Sequence, residues 1–185
     1  MVNEEEYLSQ YERRLQDSLV SLCTAYEMMG GVLLENDDIE SKFSEEFARP
    51  YLTDAVREYH AYPEASLAWA GYLGMAVAKM WDVDWQAYQR MTYASLQGPR
   101  GFDDLDEQIV QNVLGYGLDS EPARKIADML SNCAVEALTM IRHEHIEPQS
   151  PRAYYVFARS VQVLYRIGAS MELFLLGYKL EQMSI

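Results

Sequence analysis

Histidines and carboxylates are the side chains that most readily do chemistry, and this chain has three of the former and 29 of the latter. The stretch RHEHIEP, residues 142–148, places His143, Glu144, His145 and Glu147 within five positions, which invites a metal reading. Imidazoles that share a metal from one helix need a spacing of three or four, and His143 and His145 are two apart. Placed at a helix end, they read more simply as basic groups meeting the helix dipole. A di-iron bundle needs Glu three residues before a histidine. The residues three before His60, His143 and His145 are Arg57, Met140 and Arg142. That motif is absent, as is any H-E-x-x-H pair.

The acidic clusters WDVDW (81–85) and FDDLDE (102–107) could face a hard cation. Asp82 and Asp84 have the first two spacings of a calcium loop, but Ala87 and Tyr93 occupy the positions that need Gly and Glu. Helix capping accounts for both clusters. GYGLDS (115–120) lacks the third glycine and the preceding strand of a dinucleotide loop, and reads as a helix stop. There is no phosphate loop and no nucleophile elbow. No catalytic residue, metal ligand or cofactor is assigned.

Two constellations remain. Arg152, Arg159 and Arg166 recur every seven residues, so they form one helical stripe with Tyr155 a turn before Arg159. Such a stripe could hold an anion or an acidic partner, or pair with acidic helices of the same chain. Trp69, Tyr72, Trp81, Trp85 and Tyr88 could line an apolar ligand pocket, or be core.

These residues need elements to position them. Leu8, Tyr11, Leu15, Leu19, Leu22, Tyr26, Met29 and Leu33 recur at a mean interval of about 3.6, the α-helical period. They predict a helix from about Glu4 to Leu34, weakened late by Gly30-Gly31. Asn36 or Asp37 caps a second helix with Ile39, Phe43 and Phe47 inward. Pro50 should break or kink it, and Thr53-Asp54 restart it with Val56 and Tyr59 inward. From Ala65 to Ala78 there are 14 residues without charge, too few for a bilayer span of about 20. The stretch reads as a buried central helix over about 63–80, with Ala70, Gly74 and Ala78 as a small face for close approach. Asp104 with Glu107 suggests a capped start, Ser120-Glu121-Pro122 another, and Ser150-Pro151 the start of a final helix to about Gln182. No segment alternates like a half-buried strand. The expected fold is all-α: one domain over 1–185, a bundle of six to eight helices around the central one.

The net charge is -14, concentrated early: residues 1–64 hold 15 acidic and 5 basic side chains, whereas 121–185 hold seven of each. This field opposes nucleic acid and anionic membranes and attracts basic surfaces. Cys23 and Cys133 sit in apolar helical patterns, as two free thiols in a reducing, cytoplasmic setting. The start, MVNEEEYLSQYERR, has no signal-peptide pattern. The leading functional expectation is a soluble, non-catalytic protein acting through a protein partner or a second copy of itself. A small-molecule-binding or sensory domain with an aromatic pocket is the alternative, and an enzyme with a dispersed site the third.

Overall fold

The computed structural model describes residues 3–179. It is all-α; among those residues the only β contact is an isolated bridge between Gly98 and Gly101. Helices run α1 (Glu4–Ala25), α2 (Asp37–Lys42), α3 (Ala48–Tyr59), α4 (Pro63–Val83), α5 (Trp85–Arg90), α6 (Leu105–Gln108), α7 (Glu121–His143) and α8 (Pro151–Leu175). None of the described helices is long and apolar enough to cross a membrane.

α4 is the axis. From Ser66 to Ala78 every residue except Trp69 is buried, because the run offers apolar or small side chains on all faces. α8 is its closest neighbour, with α7, α3, α2 and α6 around it, and α1 lies across α8 and α7. The small residues set the α4–α8 distance. A Cβ at Gly74 would stand 2.0 Å from the Tyr165 carbonyl oxygen, and one at Gly168 would stand 1.9 Å from that of Gly71. The expected small-residue face is therefore filled by the backbone of α8.

Caps follow the sequence at several starts. Asn3, Asn36, Asp84, Ser120 and Ser150 each accept a backbone N–H with the side chain, satisfying donors that the first turn leaves free. At α2 the cap is Asn36, not Asp37, and Asp84 turns the chain from α4 into α5.

Four expectations are corrected. α1 ends at Ala25, not Leu34: Glu27 has φ 61° and the Met28 N–H returns to the Cys23 carbonyl. Met28, Met29 and Leu34 are still buried, so the apolar spacing persists through a segment that packs without being helical. The Leu34 N–H, 2.8 Å from Ser170 Oγ on α8, fixes that segment.

Pro50 does not break its helix. A π turn at Phe43–Phe47 joins α2 to α3 and leads directly into the proline. The widened turn accommodates the missing N–H and the ring. It also explains the buried series Ile39, Phe43, Phe47, Tyr51 and Ala55. A spacing of four drifts about 40° per step in an ideal α-helix, and the extra residue of the π turn pulls the series back in line. Val56, expected inward, is consequently 46% exposed.

Asp104 does not cap α6 with its side chain. Its carboxylate turns back and accepts the N–H groups of Gly98 and Arg100, both at 3.0 Å. Finally, α8 stops at Leu175. Gly177 at φ 99° lets its own N–H and that of Tyr178 return to Phe174 and Leu173, which is a glycine-terminated helix end. Gln182 lies outside the described residues.

Candidate binding groove

The arginine stripe forms a ladder with carboxylates from α1 and α2. Arg152 meets Glu4 at 2.6 Å and Arg159 meets Glu5 at 2.7 Å. Arg166 bridges Glu12 at 3.4 Å and Glu40 at 2.8 Å. The Arg152 and Arg159 hydrogen bonds hold the Glu4 and Glu5 carboxyls below their ordinary range. Burial pulls Arg166 down, but Glu40 and Glu12 outweigh it and leave its guanidinium more firmly charged. Beside this lower rung lies a cavity of about 460 Å³ between α1, α2 and α8. Within its wall, Arg166 takes Glu12, Glu40 and, at 3.4 Å, the Gln16 side-chain oxygen.

The RHEHIEP segment also has a structural use. Glu144 accepts the Tyr7 hydroxyl at 2.6 Å and pairs with Arg14 at 3.2 Å, tying the end of α7 to α1. Among the described residues no three His, Cys, Asp or Glu side chains gather closely enough for a metal ion. Cys23 and Cys133 are both buried and free, with sulfurs 3.6 Å apart.

The five aromatic residues do not form one cluster. Trp81, Trp85 and Tyr88 belong to the C-terminal end of α4 and to α5. There Trp81 donates to Asp38 and packs on Tyr178, while Trp85 stacks on Tyr88 at 4.9 Å. Trp69 and Tyr72 lie toward the other end of α4, edge to face at 5.6 Å. α4 separates the two groups by two to three turns.

Trp69 and Tyr72 open onto a groove of about 670 Å³. Its long wall is one face of α7, where Ala127, Ser131, Val135, Leu138 and Arg142 follow at intervals of three or four. At 1.5 Å per residue that stripe spans about 22 Å. The opposite wall is the first half of α4, from Pro63 to Tyr72, and α6 closes one end with Asp106. Asp106 is positioned from a distance. Trp69 Nε1 donates to the Phe102 carbonyl at 2.8 Å, and Asp104 clamps the preceding loop. Together they press the start of α6 against α4.

The polar groups of this groove are unevenly satisfied. Glu64 is taken by the Ser131 hydroxyl. Arg142 is exposed at the opposite end, in the last turn of α7. Tyr72 is only 4% exposed, yet its hydroxyl has no hydrogen-bond partner among the described residues. The hydroxyl is also absent from the sealed interior, where Glu172 Oε2 is the unpartnered side-chain atom. Tyr72 lines the groove. Burial, reinforced by the nearby Asp106 and Asp128 carboxylates, raises this phenol well above its ordinary range. Burial also raises Asp106, with Glu107 and Asp104 adding to the rise and local backbone N–H groups opposing it.

Sequence reasoning found Trp69 and Tyr72 but missed Asp106, which belongs to a cluster that reads as helix capping. It also missed the α7 wall, whose residues read as an ordinary amphipathic face. Comparison with protein-family models, with curated proteins and with solved structures finds no match for this chain.

Proposed function

We propose that this chain is a non-catalytic binding protein and that the α4–α6–α7 groove is its small-molecule site. The observation that carries this reading is the Tyr72 hydroxyl, nearly buried and without a protein partner, beside an apolar recess. A buried polar group is ordinarily satisfied, and a pocket with apolar walls and few polar groups is the usual form of a ligand site. The volume lies within the range such sites occupy, about 300–1,000 Å³.

A neutral, environment-sensitive dye such as Nile red tests it. Saturable fluorescence enhancement is expected with the parent chain. Val135→Glu, at a position 47% exposed on the α7 wall, should leave the fold intact and weaken the dye at least about tenfold, because a charge would have to be desolvated. Enhancement that fails to saturate, or that ignores Val135→Glu, would overturn the reading.

Association with a protein, or with a second copy, is the second reading. It is favoured by exposed apolar side chains around the same end of the molecule: Tyr62 at 65%, Tyr154 at 46% and Tyr155 at 48%. Tyrosine suits interfaces because it buries area while keeping a polar tip. A concentration-dependent rise in mass during sedimentation, abolished by Tyr62→Asp, would support it, and a constant monomer mass would count against self-association. Both readings carry a cytoplasmic setting, supported by two unlinked thiols within contact distance.

A further inference from the structure

We infer that the ligand of this groove is a small organic cation, with its apolar body against Trp69 and its protonated nitrogen between the Asp106 carboxylate and the Tyr72 hydroxyl oxygen. The inference rests on the groove being a binding site, and it adds the charge and orientation of what binds.

The polarity of the groove argues for this orientation. One end holds Asp106, partly buried, held by backbone N–H groups of its own turn and without a salt bridge among the described residues. Beside it is the unpartnered Tyr72 oxygen. A carboxylate there lacks a counter-charge, and a phenolic oxygen there lacks a donor. One ammonium group supplies both needs, since it carries three donors and a positive charge. The adjoining indole of Trp69 is the best aromatic face for a cation. Its own N–H is already committed to Phe102, so what the ring gives the groove is aromatic surface and no free donor.

An anionic ligand fits less well. The groove's cation, Arg142, stands exposed at the opposite end, where water screens it and the C-terminus of α7 already favours it. An anion seated at the buried end would meet Asp106, with Glu64 also in the wall. The field of the whole chain, at -14, adds a long-range bias toward cations.

Three probes sharing one body separate the possibilities: tryptamine, neutral 3-ethylindole and anionic indole-3-propionate, each titrated at pH 7 by calorimetry and by displacement of Nile red. Tryptamine is expected to bind roughly ten- to a hundredfold more tightly than 3-ethylindole, the range of a charge-assisted hydrogen bond. Indole-3-propionate should be weakest. Asp106→Asn should bring tryptamine down to the level of 3-ethylindole and leave 3-ethylindole unchanged. Tyr72→Phe should cost tryptamine several-fold without destabilising the fold, since the hydroxyl it removes has no protein partner. The probe series on the parent chain stands even if a variant folds poorly. Equal affinity for tryptamine and 3-ethylindole would overturn the inference and leave the groove as a neutral apolar site. Failure of all three to displace a dye that is itself sensitive to Val135→Glu would also overturn it, with the groove still a site. Loss of dye sensitivity to Val135→Glu would remove both.

Discussion

At Glu172 a carboxylate sits where water barely reaches. The residue is 3% exposed on α8, and its Oε2 has no hydrogen-bond partner among the described residues. Burial raises its pKa from 4.5 to about 7; Lys79 opposes the rise and Asp82 adds to it. Tyr116 also feels its charge. The folded state therefore holds this proton more tightly than the unfolded chain does. Its effect on stability is most favourable below about pH 4.5, is lost as pH rises through 7, and is constant above that. Glu172→Gln removes the titration while keeping the size. Urea denaturation should show the variant gaining on the parent by about 3 kcal/mol between pH 4.5 and pH 8. An offset that stays the same at both pH values would contradict this. Glu172 shows what a sequence conceals at this scale: nothing in SMELFL distinguishes a buried Glu from a solvated one. Asp104 and Glu144 were opaque in the same way. Their partners, the 98–100 loop and Tyr7 with Arg14, are fixed only when the chain closes on itself.

At the scale of elements, the α4–α8 crossing carries the architecture, and two glycines set it. Alanine is a better helix former than glycine by about 1 kcal/mol, so propensity alone would make Gly168→Ala stabilising. The Cβ would meet the backbone of Gly71, which cannot rotate away, so the helices must separate. Gly168→Ala is expected to lower the unfolding free energy by about 2 kcal/mol or more in urea denaturation. Gly117→Ala, with nothing within 4 Å of its Cβ, should change it little. Equal behaviour of the two would show that the crossing is looser than described. A close approach to α4 was legible beforehand, because the uncharged run and its small residues admit few arrangements in water; that α8 makes it, through Gly168, was not. The starts at Asn36, Pro63, Ser120 and Ser150 were legible too, since a cap is a local event, whereas those expected at Thr53-Asp54 and Asp104 were not borne out. Helix ends were not legible. α1 stopped at Ala25 although its apolar rhythm ran on to Leu33, because tertiary packing, not helix geometry, buries the later residues. The π turn left its trace in the spacing of four from Ile39 to Ala55, a signal that an ideal-helix reading of Pro50 passes over.

Across the whole molecule, charge and shape divide the labour. The acidic first helices are partly neutralised by the arginines of α8, which fasten Glu4, Glu5, Glu12 and Glu40 internally and leave the other carboxylates to the surface field. That ladder contributes modestly, because Arg152 and Glu4 remain about half exposed. The groove lies away from it, where α6 and α7 come together on the first half of the central helix α4. On the function proposed above, this groove, and not the polar cavity beside Arg166, receives a ligand. The most direct measurement is a titration of the isotopically labelled chain with tryptamine, followed by amide chemical shifts. Saturable shifts concentrated over 61–72, 104–108 and 127–142 are expected, with α1 and α2 quiet. Shifts centred on the α1–α2–α8 cavity, or spread without saturation over the acidic surface, would contradict it.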